Sequence, residues 1–353
     1  MVFSFQSCAI SQKEVDMMKK KHAGKNAGMR FLLVLSIFLA GVAMGWNTIP
    51  ASAADYPTKP VLFIAPSKPG SGFDTTARAV TATLGKEKLV PVAMPVENAS
   101  SSIPGTATIV TRHKNNPYMI AVQSLAGMLN FSTGMSPYSH KDYTPLARLI
   151  SAYYGIIVRY DSPYKTLNDL VKDLKETPSK IPFSGGVSDD RICYGAIFSR
   201  AGVDITKINY AAYGGGTEAS TVILEGSGKV LISSIDDVMG LIEAKRLRPL
   251  AITSPKRMGE ALKDYPTLRE AGIDMEWENF RYILGGPAMP DYAVKYWQDV
   301  LAKMVKTPTW QEMMQKYRWG DTFLVEGLGE FLDSRQATVT DIVNKLGMGK
   351  GKK

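Results

Sequence analysis

Twice in this chain an apolar run stops at a short glycine and serine loop, meets an aspartate and turns into a helix. The two stretches are "VLFIAPSKPGSGFDTTARAV" (Val61 to Val80) and "IPFSGGVSDDRICYGAIFSRAG" (Ile181 to Gly202). Each reads as a buried strand feeding a helix through a tight turn. Further strand signals at Val90 to Asn98, Tyr118 to Ser124 and Tyr153 to Pro163 alternate with helical patterns at about Thr75 to Leu84, Thr106 to His113 and Thr166 to Glu176. That alternation predicts an α/β fold with mostly parallel sheets. At Thr166 a capping box with Asp169 is expected to start its helix. Beyond "FRYILGGPAMP" (Phe280 to Pro290) the pattern reads as wholly helical.

The chain of 353 residues is long enough for two domains, and its 45% apolar content is that of a globular protein. The start reads differently. Lys19, Lys20, Lys21, Lys25 and Arg30 precede an apolar run, Phe31 to Trp46, and then Ala51-Ser52-Ala53. This is the pattern of a signal peptide cut after Ala53, its run too short for a membrane span; Met17, Met18 or Met29 would each leave a conventional leader. Residues 1–53 are therefore expected to be removed and the remainder to be exported to the periplasm. The formal net charge of +9 then falls to about +5, with no basic, aromatic-interleaved face of the kind nucleic acid requires. Cys8 leaves with the leader, so Cys193 has no internal partner for a disulfide.

Enzyme chemistry finds little support. After processing, His113 and His140 are the only histidines, no G-x-S-x-G elbow is present, and Cys193 has no histidine near it in sequence. No Cys/His spacing suggests zinc, and the aspartate pairs 189/190 and 236/237 are too few for a calcium loop. The first glycine loop lacks the lysine of a P-loop and the third glycine of a dinucleotide fingerprint. Gly70 and Gly72 nevertheless allow a close approach of backbone to a ligand, and a helix N-terminus favours an anion. Asp74 then either caps that helix or reaches the ligand. At the second joint Ser184 and Ser188 offer hydroxyls, and Gly185 and Gly186 offer amides; an ordinary β-α turn would use the same residues. "YGGGT" (Tyr213 to Thr217) is a third glycine loop or a flexible connection. Asp236 follows the apolar run "VLISSI" and either faces a cleft or caps a helix.

Taken in order, several segments resemble the extracytoplasmic solute receptors of the tripartite tricarboxylate transporter, or Bug, family. They are "YPTKPVLFIAPSKPGSGFDTTAR", "KDYTPLARL", "SPYKTLNDLV", "SGGVSDD", "NYAAYGGGTEASTVILEG", "LRPLAITSPKR" and "YPTLREAG". The resemblance implies a two-domain, type II-like periplasmic binding protein without catalysis or cofactor, acting as a monomer. It would close over a small organic acid (a di- or tricarboxylate, an acidic amino acid or an aromatic carboxylate) and deliver it to the large and small membrane subunits of a transporter; the family also includes partners of sensor kinases. It places the ligand against Ser67, Gly70, Ser71, Gly72, Phe73, Asp74 and Thr75, with the amides of Ser71, Gly72 and Phe73 free for a carboxylate. The second loop would add Ser184, Gly185, Gly186, Ser188 and Asp189, and Ser124, Tyr213 and Asp236 would complete the site. Phe73 departs from the small residue usual there, and "ENASSSIPG" (Glu97 to Gly105) replaces a glycine-rich family loop. With hinge crossings at "YYGIIVRYDSP" and "FRYILGGPAMP", domain one would comprise 54–157 and 281–353, and domain two 158–280.

Overall fold

The computed structural model describes residues 56–186, 189–213 and 216–349. The expected leader and Ser188 lie outside them. Eleven strands among the described residues form two sheets. The first has the order β11-β4-β10-β3-β1-β2, built from β1 (Leu62–Ala65), β2 (Val96–Asn98), β3 (Met119–Ser124), β4 (Thr144–Ala152), β10 (Asn279–Gly285) and β11 (Gly320–Leu324). The second has the order β7-β6-β8-β5-β9, from β5 (Tyr154–Arg159), β6 (Phe183–Gly186), β7 (Tyr210–Tyr213), β8 (Val230–Ser234) and β9 (Leu247–Ile252). Every residue of β3 is buried, as expected for a central strand covered on both faces.

Both sheets are mixed rather than mostly parallel. β1 runs parallel to β2 and β3, and β6 to β7 and β8, but β10 and β11 are antiparallel to their neighbours, as is β5. The reason is where the chain crosses. Only Tyr153 separates β4 from β5, so a strand that carries the chain into the other lobe begins at the edge where the strand–helix units end. It must then run against them. The chain changes sheet at Tyr153 and changes back at Asn279, so a boundary drawn at residue 157 falls inside β5.

Other differences have local causes. The expected strand from Val90 shrinks to Val96–Asn98, since Pro91 and Pro95 cannot donate to a ladder. α1 (Gly72–Lys86) starts earlier than expected, as does α2 (Ser102–Arg112), where Pro104 sits in the first turn and needs no amide bond. The C-terminal region is not wholly helical: "GDTFL" pairs with β4 as β11, too short and polar to show as a strand pattern. The capping box at Thr166 and Asp169 is formed at the start of Leu167–Glu176.

Of three apolar clusters among the described residues, one runs through both lobes. Ile64, Leu125 and Phe280 belong to it from the first sheet's side, and Phe183, Ile192 and Ile232 from the second's. α10 (Leu328–Lys345) joins them through Leu332, Val339, Ile342 and Val343. Gly195, on Asp189–Arg200, allows this helix to come close: a Cβ there would fall 2.6 Å from Ile342 Cγ2. On the other side Gln336 Nε2 donates to Met128 O at 3.2 Å and Ser132 Oγ at 2.7 Å, in the helix Leu125–Ser132.

The crossing strands are pinned by charge. Arg148 and Glu278, both buried, form an ion pair, Ser151 Oγ donates to the same carboxylate, and Arg335 of α10 reaches its other oxygen at 3.3 Å. Removing one member of such a pair leaves a buried charge uncompensated. Glu278→Ala should therefore lower the unfolding free energy by about 3–5 kcal/mol, read from urea denaturation. An unchanged midpoint would show that the network contributes nothing to stability.

Candidate functional site

A cavity of about 590 Å³ opens between the ends of the two sheets, within the range of small-ligand sites. Such crevices at strand carboxyl ends are where open α/β sheets bind ligands. Ser67, Gly70, Ser71, Gly72, Phe73 and Thr75 line it from the first loop. Ser124, Gly186, Asp189 and Asp236 line it as well, so most of the sequence-predicted residues do converge.

The first loop is built from its own side chains. Gly70 turns the backbone with φ +79°, a conformation that suits glycine. Ser71 is the N-cap of α1, its Oγ accepting from the Asp74 amide at 3.4 Å and contacting Ser67 Oγ. Asp74 is thus neither the N-cap nor a cavity residue. It is 4% exposed and lies behind the loop, because the helix starts at Gly72 and sets Asp74 at its third position. Its Oδ2 accepts from the Gly70 amide at 2.8 Å, while Arg78 Nε and Asn98 Nδ2 each reach Oδ1 at 2.9 Å. Burial alone would raise its pKa, but Arg78, the Gly70 amide and Asn98 together hold the carboxyl below its ordinary value. The Ser71 amide donates to Lys68 O at 3.3 Å, so it is not free for a ligand as expected. The amides of Gly72 and Phe73, at the open first turn of the helix, are the donors left.

The second joint repeats this device one residue further on than Asp189. Asp190 Oδ2 accepts from the Gly186 amide at 2.6 Å, again four residues back. Burial, then the neighbouring Asp189, push the Asp190 carboxyl well above its ordinary range. Asp189 itself faces the cavity, with Oδ2 accepting from Tyr154 Oη at 2.7 Å and Asn279 Nδ2 at 2.6 Å. Ser184, Gly185 and Tyr213 do not line the cavity. Ser184 is buried within β6, and a Cβ on Gly185 would fall 2.3 Å from Tyr210 Oη, so both serve strand packing.

Sequence reasoning missed Arg281. Its guanidinium lies against the first loop: Nη1 donates to Thr76 Oγ1 at 3.0 Å, and a Cβ on Gly72 would fall 2.4 Å from Nη2. Gly72 therefore makes room for the arginine at the cavity wall. Trp319 supports the group from another side, with the guanidinium carbon 5.6 Å from its ring centre. Burial lowers the Arg281 pKa while Asp236, Asp189, Tyr154 and Asp237 oppose that fall. The available signal was a lone arginine within the otherwise apolar run "FRYIL". Asn279, Asp237, Asp190 and residues Lys316 to Trp319 were also missed, the last group because it precedes the unrecognised β11.

Asp236 and Asp237 form the first turn of α7 (Ile235–Glu243) and are exposed to the water of the cleft. The cleft walls still crowd them. Desolvation raises Asp236 to about 7 against the lowering effect of Arg281 and Arg318, and raises Asp237 as well.

With this geometry in view, comparison with known proteins is specific. Residues 77–325 match the family model described as the tripartite tricarboxylate transporter family receptor. The chain is 25% identical to the protein BugT of Bordetella pertussis (strain Tohama I) over 254 residues, covering 69% of this chain and 74% of that one. Its fold is similar to the crystal structure of a TctC solute binding protein from Polaromonas (TM-score 0.72, 24% identity, 83% of this chain and 100% of that one). It is also similar to MatC from Rhodopseudomonas palustris with bound malate (TM-score 0.62, 18% identity, 82% and 100%). The matched family and these structures are binding proteins rather than enzymes. The chain belongs to the tripartite tricarboxylate transporter receptor family.

Proposed function

We propose that this receptor captures a small organic acid in the cleft between its sheets and delivers it to the membrane subunits of a tripartite transporter. The observation that carries the reading is the convergence of the Gly72 and Phe73 amides with the Arg281 guanidinium at one point of the cavity wall. Two backbone donors at a helix N-terminus and a guanidinium form a recognition unit for a carboxylate. MatC, a structural relative, holds malate, which agrees with an acid as the ligand.

Asp189, Asp236 and Gly216 face the same space from the second lobe. A ligand touching both lobes gains its full set of contacts only when the cleft is closed, so binding favours closure. Delivery then follows from shape: a closed receptor presents a surface that the empty one lacks.

A thermal-shift screen of mono-, di- and tricarboxylates, amino acids and aromatic acids tests the proposal. An acid at one hundred times its dissociation constant adds about 2.7 kcal/mol of stability. If none raises the melting temperature, the acid-receptor reading is wrong.

Gly72→Val probes the anion point alone. The added side chain displaces the flexible end of Arg281 rather than backbone, so the fold should persist while affinity for the acid found in the screen falls at least about ten-fold. Undiminished affinity in a calorimetric titration would take this loop out of the site.

A further inference from the structure

The cleft carries both signs of charge on facing walls, with Arg281 and Asp236 within electrostatic reach of one another but in no ion pair. Arg281 stands behind the first loop, whereas Asp236 and Asp237 project from the start of α7 in the other lobe. Among the described residues no hydrogen bond or ion pair reaches the side-chain carboxylates of Asp236 and Asp237, and Arg281 is in no ion pair. Asp189 and Asp190 bring the lining carboxylates to four, facing Arg281, Lys316 and Arg318. Arg318 already pairs with Glu243 at 3.1 Å.

A di- or tricarboxylate placed here would satisfy the Arg281 end and meet two carboxylates at the other. Like charges at short range in a partly dehydrated cleft are costly. The unoccupied acceptors call for a cation. Among the described residues no three His, Cys, Asp or Glu side chains converge as metal ligands would, so the geometry favours an organic cation over a bound metal ion.

Building on the acid-receptor reading above, we infer that the ligand is a small zwitterion. Its carboxylate lies against Gly72, Phe73 and Arg281, and its protonated amine against Asp236 and Asp237. The raised pKa of Asp236 fits this role, because crowding without a bound cation disfavours the carboxylate, and an ammonium would restore it. The groups facing Asp236 are Asp237 on its own helix and Arg281 and Arg318 opposite; Asp189 stands beyond Asp237. An ammonium held there should bind more tightly as the pH rises through about 7, where Asp236 ionises.

The test is calorimetric titration of the full receptor with pairs differing by one amine: glycine and acetate, L-aspartate and succinate, L-glutamate and glutarate, 4-aminobutyrate and butyrate, 6-aminohexanoate and hexanoate. In at least one pair the amine-bearing member should bind at least about ten-fold more tightly. In the Asp236→Asn, Asp237→Asn double variant, with its melting transition intact, that advantage should drop below about three-fold. Should the double variant not fold, Asp236→Asn alone reads the same ratio.

Amine-free members binding as well as or better than their partners would overturn the zwitterion and leave the acid receptor standing. So would an amine advantage that survives the substitutions, since the ammonium would then be held elsewhere. Absence of binding by every member would overturn the zwitterion, while the wider acid screen would still decide the acid receptor.

Discussion

The site depends on one contact made twice: a carboxylate in the first helical turn takes the amide of a glycine four residues earlier. Asp74 holds Gly70 in this way and Asp190 holds Gly186. Each bond folds its loop back on the helix that follows and fixes which amides remain open to the cleft. At the first joint the Gly70 amide is occupied by Asp74 and the Ser71 amide by Lys68 O, so the donors left begin at Gly72. The two joints differ in charge state. Asp74 is held as a carboxylate by Arg78, whereas Asp190, deeply buried beside Asp189, has its pKa driven upward. Acidification through the low carboxylate range therefore loosens the first loop, because a depressed native pKa gives stability that is lost as the pH falls through it.

Once those amides are in place, the remaining selectivity is electrostatic. Gly72 has a double task, since a side chain there would strike both the ligand space and the Arg281 guanidinium. Arg281 is carried by β10, the strand that returns from the second lobe, so the proposed anion point is tied to the chain crossing. Asp189 accepts bonds from Tyr154 and Asn279, the first residues of the two strands that start at the crossings. Both lobes' charged groups are thus referred to the same two points, and on the proposed reading a ligand that bridges them would sense whether the lobes are correctly apposed.

The loop chemistry was legible in the sequence because it is local. Glycines at 70, 72 and 186 and hydroxyls at 67 and 71 stand within a few residues of a strand end, and period and turn signals place them there without knowledge of the rest. Arg281 was not legible, because its role is set by a contact with Thr76 more than two hundred residues away. The same holds for residues Lys316 to Trp319, which reach the cleft only because β11 pairs with β4. Asp74 was legible as a capping residue but its partner was not: one position in the helix start decides whether it caps forward or reaches back to Gly70. The mixed sheets follow from the crossings, and a parallel pattern was the natural reading of units that are individually strand then helix.

The shared core limits how such a receptor can open. α10 packs on Leu125–Ser132 in one lobe through Gln336 and on Asp189–Arg200 in the other through Ile342 and Gly195. Sliding either helix along it would expose buried apolar surface at about 25 cal/mol per Å². A rotation about the crossings at Tyr153 and Asn279, where the chain passes between the sheets, would leave those helix contacts in place. The Arg148–Glu278–Arg335 network stands at that axis and joins both crossing strands to α10. On the proposed reading, closure on a ligand would be a turn about a charged pivot, with the apolar seam left intact and the movement concentrated where the loop amides and the second lobe's aspartates face one another.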